Sequence, residues 1–323
     1  MITSAEQTIT GTDIEQAAQL LADDKLVAIP TETVYGLAAN MFSESAVQKI
    51  FEVKQRPATN PLIVHLPDAE SLQDIVTDVP DMAIKLIDAF SPGPLTLLLP
   101  KRKSVPDMVT AGSPNVAIRI PNHDLTLKLL HKVSFPLVAP SANPYTYISP
   151  TNARHVKNML GGKIPYILDG GPCKMGLEST IVGFVNGFPA IYRGGAISRE
   201  EIEDKIGKVK LAITGKVVAP GMHHKHYSPN TRLIVSDNPD REIVEFVNQR
   251  IGIISYNNYS ELLPYEQQLL LCENDDFNTA AANLYAAMHS MDNKGYDLII
   301  AKRFPETGIG SSINDRLNRA QEK

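Results

Sequence analysis

The chain has 323 residues, of which 43% are hydrophobic and 21% are charged. This is the balance of a soluble globular protein, and the length predicts two domains. No apolar run approaches the ~20 residues that span a bilayer. The N-terminus lacks the regions of a secretory signal, so we expect a cytoplasmic protein without membrane contact. The two cysteines, Cys173 and Cys272, form no CxxC or Cys/His cluster, which indicates neither a disulfide framework nor a structural zinc site.

Charge is distributed unevenly along the chain. The net charge is −5, from 31 bases and 36 acids, and residues 230–323 alone carry 9 bases and 14 acids, which leaves 22 of each in residues 1–229. This balance argues against a general nucleic-acid coat. Any anion site must therefore come from a local concentration of bases in the first part of the chain.

The first 213 residues predict a mixed α/β sheet. A surface helix is predicted over 11–24, with Thr12 as its cap, and further helices over 43–53, 81–90, 123–131 and 152–160. Short apolar runs bounded by Pro or Gly predict the strands. They are LVAIP, PLIVHL, LTLLLP, VAIRIP, PLVAP, YILDGG, STIVGF and AIYRGG. This pattern favours a mixed sheet over a regular βαβ repeat.

Residues 214–230 lose this periodicity and have the Pro, Gly and polar content of a linker. Beyond it, predicted strands alternate with helices over 231–323, as in a small parallel-sheet domain. No Gly-rich phosphate-binding motif marks this second domain as a nucleotide binder. The predicted organisation is a domain over 1–213, a linker over 214–230 and a smaller domain over 231–323.

The stretch PTETVYGLAAN places Thr31, Glu32, Thr33 and Tyr35 directly after a predicted buried strand. Polar groups at the end of a strand often face a ligand crevice in open α/β sheets. A polar turn that caps the strand explains the same residues equally well.

The stretch KQRPATNPLIVH places Lys54 and Arg56 near the end of a predicted helix, before a turn at Pro57. Two cations on a rigid turn suit a polyphosphate, because Arg offers a fork and Lys a point charge. A cationic last turn also complements the helix dipole, which needs no ligand. His65, within an apolar strand, is by itself more typical of a satisfied core residue than of a catalyst.

The loop VAPSANPYTYISPTNARHV supplies Ser141, Asn143 and Ser149, whose small polar groups could cradle a phosphate or sugar. Ser149 could equally serve as a helix cap. The motifs LEST and YRGG add Ser179 and Arg193 beside glycines, where a ligand can approach the backbone closely.

Taken together, these motifs are specific. PTETVYGL, KQRPATNPL, the Arg of VAIRIP, APSAN, SPT, DGG followed by LEST, and YRGG occur in one order over about residues 10–200. In this order and spacing the chain resembles the YrdC-like threonylcarbamoyl-AMP synthase family. PGMHHKHYSP looks like the linker of its two-domain members, and GIG with DRLNRA is similar to the end of their C-terminal domain.

The resemblance implies a twisted α/β domain with an open basic cavity and a Rossmann-like C-terminal domain. It also implies an enzyme, a nucleotidyltransferase that makes threonylcarbamoyl-AMP and pyrophosphate from L-threonine, bicarbonate or CO2, and ATP with Mg2+. A downstream tRNA-modifying transferase would use the product, and the resemblance is compatible with contact between the protein and tRNA.

The resemblance further implies residue roles. The positions that match the L-threonine site are Thr33, His65, Arg119 and Ser179, with Arg119 and His65 on the carboxylate. Those that match the ATP site are Arg56, Asn60, Asn115, Ser141, Asn143, Ser149 and Arg193. Lys54 and Arg56 are the expected catalytic cations, Tyr227 of HYSP belongs to a lid, and no protein metal ligand is predicted.

The chain departs from the family pattern at two places. Asn115 replaces a usual Thr, and Tyr145, Thr146 and Tyr147 replace a usual Ser-Gly after SAN, which changes the expected local shape of the cavity. A competing hypothesis is an RNA-binding module that holds duplex phosphates on a basic face without catalysis. A carbamoyl-transferring maturation factor with the same domain is disfavoured because the chain lacks CxxC zinc motifs.

Overall fold

The computed structural model describes residues 7–212 and 226–322. Ten α-helices lie in these ranges: α1 (Ile14–Ala22), α2 (Glu44–Lys54), α3 (Asp81–Phe90), α4 (Asp107–Thr110), α5 (Asp124–Lys132), α6 (Ala153–Leu160), α7 (Arg199–Ile206), α8 (Pro239–Glu245), α9 (Phe277–Asp292) and α10 (Ile309–Gln321). Two short 3-10 helices cover Glu70–Asp74 and Tyr265–Gln267.

Eleven strands of residues 7–212 form one mixed sheet: β1 (Ile9–Gly11), β2 (Val27–Ile29), β3 (Gly36–Asn40), β4 (Ile63–His65), β5 (Leu95–Pro100), β6 (Asn115–Arg119), β7 (Leu137–Val138), β8 (Tyr166–Leu168), β9 (Thr180–Val185), β10 (Phe188–Arg193) and β11 (Lys210–Leu211). Their order is β1-β8-β2-β3-β7-β4-β6-β5-β9-β10-β11. β4 and β6 are parallel, β5 and β9 run the opposite way, and β10 reverses again. The ends of β4, β6 and β10 therefore meet the starts of β5 and β9 at one edge.

The remaining strands form a small, wholly parallel sheet in the order β12-β15-β13-β14. They are β12 (Arg232–Ser236), β13 (Ile251–Ser255), β14 (Gln268–Leu270) and β15 (Leu298–Lys302). The predicted fold class, a mixed α/β sheet with a smaller parallel-sheet unit, is confirmed. The large sheet ends at Leu211 and the small one begins at Arg232, with residues 213–225 of the predicted linker outside the described residues.

Most predicted elements of the first unit are present, because their apolar periodicity matches the faces that they bury. The cap of α1 was predicted wrongly: Asp13, not Thr12, accepts hydrogen bonds from the backbone N–H groups of Glu15 and Gln16. Strand β3 was not predicted. Its sequence, GLAAN, lacks β-branched residues, and it forms because antiparallel pairing with β2 and β7 buries it.

The two units share an apolar interface. One buried cluster combines Val34 and Leu177 of the first unit with Leu284 and Ile313 of the second. Gly176 has φ +68°, and a Cβ there would lie 2.5 Å from the carbonyl oxygen of Ala281 in α9. Both the conformation and the close approach require glycine.

A pair of histidines lies at this interface. The rings of His155 in α6 and His289 in α9 are 4.1 Å apart, and Nε2 of His289 contacts the carbonyl oxygen of Ser149. Burial lowers the pKa of His155 to about 3, helped by His289, and lowers the pKa of His289 to about 4. Both rings are therefore neutral at pH 7 in the folded protein.

Acid should weaken the fold through this pair. In the unfolded chain each histidine titrates near ~6.5, so the unfolded state binds more protons as the pH falls below that value toward 4. The free energy of unfolding should fall over this window by up to ~1.4 kcal/mol per pH unit for each histidine. Urea unfolding at pH 7, 6 and 5 measures this slope. The double variant His155→Gln, His289→Gln should have a shallower slope, and an unchanged slope would contradict this assignment.

Candidate active site

A polar cavity of about 50 Å³ lies at the sheet edge where β4, β6 and β10 end. His65 and Arg119 are register partners at the ends of β4 and β6, Ser179 directly precedes β9, and Arg193 ends β10. The polar lining residues are Thr31, Thr33, Arg56, His65, Arg119, Ser141, Glu178, Ser179, Arg193, His226 and Tyr227.

Arg119 forms one end of the cavity together with Glu32. The two side chains are each 5% exposed, and Nη2 of Arg119 lies 2.8 Å from Oε1 of Glu32, while Nε donates to the carbonyl oxygen of Gly93 at 3.3 Å. The ionic contact is poorly aligned, since neither Nη2 nor the Glu32 oxygens have a well-directed hydrogen bond within the described residues. Arg119 is thus held in place with donor capacity to spare.

His65 is a neutral ring beside Arg119. Its Nδ1 lies 3.2 Å from the carbonyl oxygen of Ile63. Because a carbonyl only accepts, Nδ1 carries the proton and Nε2 has a lone pair. Burial, and after it the charge of Arg119, lowers the pKa of His65 to about 3. His65 is therefore satisfied as a core residue and also lines the cavity.

The PTET loop combines its two predicted roles. The Thr31 hydroxyl accepts from the N–H groups of Thr33 and Val34, both at 3.2 Å, and donates to the Val34 carbonyl at 2.6 Å, which fixes the turn. Thr33, bonded to Thr31 at 2.9 Å between hydroxyl oxygens, lines the cavity. The turn is capped, and it also faces the crevice.

Arg56 is a rigid cation in the cavity wall. Its Nη2 donates to Oδ1 of Asn60 at 2.6 Å and to the carbonyl oxygen of Pro61 at 2.8 Å. Burial lowers the pKa of Arg56 to about 10, so the guanidinium stays charged at neutral pH. Asn60 orients Arg56 and does not itself line the cavity.

Lys54 adjoins the cavity without lining it. Its Nζ donates to the carbonyl oxygens of Ser141 and Asn143, both at 2.5 Å, and the side chain is 1% exposed. Burial, followed by the charge of Arg56, lowers the pKa of Lys54 well below its ordinary value. Lys54 therefore fixes the loop that carries Ser141, a role that neither the phosphate nor the helix-dipole interpretation anticipated.

The remaining predicted nucleotide residues are spread around this wall. Asn143 donates to the carbonyl oxygens of Pro144 and Tyr147 and orders the Tyr-Thr-Tyr loop. Asn115 starts β6, four residues and so ~13 Å from Arg119. Ser149 is not a helix cap, since Asn152 caps α6; its hydroxyl donates to Glu178 at 2.7 Å.

Arg193 and Ser179 are hydrogen-bonded to each other in the cavity wall. Nη2 of Arg193 donates to the Ser179 carbonyl at 2.9 Å and to its hydroxyl at 3.2 Å, and the Ser179 and Thr96 hydroxyl oxygens are 2.7 Å apart. Arg56, Arg119 and Arg193, at 6%, 5% and 7% exposure, converge on one small cavity. Cations this deeply buried cannot contact an RNA duplex, which counts against the RNA-binding alternative.

Residues 226–228 cover the cavity, which is narrower than the open one expected. Tyr227, 1% exposed with φ +63°, stacks on Tyr285 at 5.6 Å between ring centroids. The ring of His226 meets that of Tyr145 edge-on, and the N–H of Ser228 donates to the Thr146 carbonyl at 2.8 Å. The unusual Tyr-Thr-Tyr loop is therefore what this segment docks against.

Sequence reasoning gave no specific role to three residues at or beside the site, and of these it named only Glu32, as a polar residue that could face a crevice. Glu32 pairs with Arg119, Glu178 lines the cavity, and His226 covers it. Glu32 and Glu178 stand beside hydroxyl residues in the motifs PTET and LEST. The presence of a carboxylate in each of these motifs was the sequence signal that could have identified the two residues. His226 directly precedes the predicted lid residue.

Family models match almost the whole chain. Residues 19–195 match the Sua5/YciO/YrdC model, described as telomere recombination, and residues 197–321 match the model of the threonylcarbamoyl-AMP synthase C-terminal domain. The chain belongs to the two-domain threonylcarbamoyl-AMP synthase family, and the resemblance found in the sequence is confirmed.

Individual relatives agree with this assignment. The threonylcarbamoyl-AMP synthases of Pyrococcus abyssi and Bacillus subtilis are each 39% identical, over 99% and 95% of this chain and 97% and 92% of their own lengths. The crystal structure of P. abyssi Sua5 complexed with L-threonine is similar with a TM-score of 0.90 at 37% identity, covering 97% of this chain and 98% of that one.

Two further observations concern membranes and metals. Among the described residues, no helix is both long and apolar enough to span a bilayer. Within residues 7–212 and 226–322, no group of three or more His, Cys, Asp or Glu side chains is arranged to hold a metal ion.

Proposed function

We propose that this cavity joins L-threonine, bicarbonate and ATP into threonylcarbamoyl-AMP and pyrophosphate. The observation that carries the proposal is the convergence of Arg56, Arg119 and Arg193 on one cavity of a protein from this family. Three buried cations suit a substrate set that carries a triphosphate and a carboxylate. The reaction makes the protein a nucleotidyltransferase.

The Arg119 end would bind threonine. The spare donor capacity of Arg119 suits the amino-acid carboxylate, and the hydroxyls of Thr33 and Ser179 suit its polar groups. A neutral His65 with a lone pair on Nε2 fits a substrate donor, the amine or hydroxyl, better than a carboxylate. We therefore reassign His65 from the carboxylate to one of these groups.

The Arg56 and Arg193 side would bind ATP, with Ser141 as a further contact. Asn60 and Lys54 would act indirectly, by fixing Arg56 and the Ser141 loop. Asn143 and Ser149 order neighbouring segments, and Asn115 would serve the distal part of the nucleotide. Magnesium would arrive with ATP and be held mainly by phosphate oxygens and water, as is usual for Mg2+.

The proposed chemistry needs no covalent enzyme intermediate. The threonine amine forms a carbamate, either from bicarbonate with loss of water or from CO2 with loss of one proton from the amine. A carboxylate oxygen of the carbamate then attacks the ATP α-phosphorus while the bond to pyrophosphate breaks. The protein would orient the reactants, and its buried guanidinium groups would stabilise phosphate charge. The product is a mixed anhydride suited to a downstream tRNA-modifying transferase, in the cytoplasm.

The segment 226–228 would act as a lid. A cavity of about 50 Å³ is far below the ~300–1,000 Å³ typical of ligand sites, so His226 and Tyr227 must move for ATP to enter. Once closed, the lid would keep water from the carbamate and the anhydride.

Removal of the aromatic ring of Tyr227 should uncouple ATP consumption from formation of the product. Tyr227→Ala removes the stacking on Tyr285 and weakens the neighbouring hydrogen bond from Ser228 to Thr146. We therefore expect the ratio of unproductive ATP hydrolysis to threonylcarbamoyl-AMP formation to rise ~10-fold. The ratio is measured by quantifying pyrophosphate and threonylcarbamoyl-AMP in the same reaction. Tyr259→Ala, at an exposed site in the second unit, is the matched control. An unchanged ratio in Tyr227→Ala would refute the lid.

The function itself is tested by omission. Pyrophosphate release should require ATP, threonine and bicarbonate together, and should stop when any one is left out. Release that is indifferent to threonine would reject the proposal.

A further inference from the structure

Arg316 of α10 is the most deeply buried cation at the contact between the two units. It is 0% exposed, and all three nitrogens of its guanidinium are engaged. Nε donates to Oε2 of Glu178 and Nη2 to the carbonyl oxygen of Gly194, both at 2.8 Å, and Nη1 donates to Asp315 at 2.6 Å. A residue of the second unit thus binds the motifs LEST and YRGG of the first.

Glu178 is the cavity carboxylate that Arg316 pairs with. It also accepts the hydroxyls of Ser149 at 2.7 Å and Tyr285 at 3.0 Å. Burial acts to raise the pKa of Glu178, but the guanidinium groups of Arg316 and Arg193 outweigh burial and lower the pKa. A negative charge therefore lies in the wall of a cavity proposed to hold a triphosphate.

Arg316 also contacts the lid. Its guanidinium carbon lies 5.1 Å from the centroid of the Tyr227 ring, within the range of a cation–π contact. Tyr227 in turn stacks on Tyr285, which bonds to Glu178. Arg316, a residue of the second unit, therefore contacts both the lid and the cavity wall.

Electrostatics makes this cation important for the nucleotide. A carboxylate without a counter-ion, buried in a medium of low dielectric, would repel phosphate groups strongly. A carboxylate bound to a guanidinium repels them much less. The single positive charge of Arg316 offsets the charge of Glu178, while Glu178 keeps Ser149 oriented.

We propose that Arg316 is a positioning residue through which the second unit prepares the nucleotide side of the cavity, by neutralising Glu178, fixing Gly194 beside Arg193 and supporting the closed Tyr227. The proposal rests on the proposed function. Arg316 does not line the cavity, so it acts on ATP through these neighbours.

Replacing the cation tests the electrostatic part. Arg316→Met should raise KM for ATP ~10-fold or more, with KM for threonine changed less than ~3-fold, because breaking one side of a buried pair leaves a lone charge. In this variant Glu178 loses the strongest of the interactions that lower its pKa, while Arg193 and the burial that raises the pKa remain, so the pKa of Glu178 rises. Protonation at lower pH then removes the repulsion, and the ratio of variant to wild-type KM for ATP should fall from pH 8 to pH 6.

A second substitution separates charge from packing. The double variant Glu178→Gln, Arg316→Met should recover part of the lost ATP affinity and lose the pH dependence of the ratio. Arg316→Lys keeps the charge but cannot reach both Glu178 and Gly194, so its KM for ATP should rise ~3-fold or more. Arg303→Met removes a cation of the same unit whose side chain is 30% exposed, and it should stay within ~2-fold of wild type.

The outcomes are separable. An inactive wild type would reject the proposed function, whereas an active wild type with a folded Arg316→Met variant of unchanged KM for ATP would overturn this inference alone. If KM for ATP and KM for threonine rose equally and the ratio of variant to wild-type KM for ATP did not depend on pH, Arg316 would have only a structural role. That result would also overturn the inference. If Arg316→Met does not fold, Arg316→Lys decides, and an unchanged KM for ATP contradicts the inference.

Discussion

Arg56→Ala should lower kcat/KM for ATP by ~10²-fold or more, the scale seen when one preorganised charge is removed from a site of charge development. Arg56 is 6% exposed and is fixed by Asn60 and Pro61, so under the proposed function it would meet phosphate oxygens without reorganising. Steady-state pyrophosphate release against ATP concentration measures the effect. KM for threonine should change much less.

Two companion variants define what this loss means. Arg102→Ala removes an exposed arginine of the same unit and should stay within ~2-fold of wild type. Lys54→Ala should also lose most of the rate, because the Ser141 and Asn143 carbonyls lose their shared donor and the loop shifts. Near-normal pyrophosphate release by both Arg56→Ala and Lys54→Ala would refute the assignment of this wall to ATP.

Arg119→Gln should raise KM for threonine by ~10²-fold, equivalent to ~2.7 kcal/mol and within the range for truncating one partner of a buried charge pair. The amide keeps similar bulk but loses the charge and the fork that a carboxylate needs. Titration of threonine at saturating ATP measures it. KM for ATP should change by less than ~3-fold, since Arg56 and Arg193 are untouched.

Glu32 complicates this variant, because Arg119→Gln leaves a buried carboxylate without its 2.8 Å partner. Glu32→Gln is therefore the necessary control, and it should weaken threonine binding less than Arg119→Gln. Arg119→Lys, which keeps the charge but not the planar fork, should lie between them. If Arg119→Gln raised KM for ATP and left KM for threonine unchanged, the two ends of the cavity would have to be exchanged.

The sequence predicted those helices and strands whose own apolar pattern marks the face that they bury. Helix α3 was predicted with its observed limits, Asp81–Phe90, and its buried residues Ala83, Leu86 and Ile87 have the spacing of one helical face. The strands around β4 and β6 were predicted from apolar runs. Strand β3 was not, because its pairing with β2 and β7 is a property of the whole sheet.

The cavity was predictable in part for a similar reason. Arg119, Arg56, Ser179 and Arg193 stand in motifs whose order indicates a site, and the structure brings them together. The contacts of Arg316 with Glu178 were not predictable, since they join positions 138 residues apart in different units. Position in a motif also did not separate Arg56, which lines the cavity, from Lys54, which supports it.

Mass analysis of the product tests the central claim most directly. The wild-type protein is incubated with ATP, Mg2+, 13C-bicarbonate and labelled threonine, and the adenylate fraction is analysed. We expect one species that contains AMP, one threonine and the labelled carbon, with one pyrophosphate released for each molecule formed. Adenylate without the bicarbonate carbon, or threonine-independent turnover of ATP, would contradict the account.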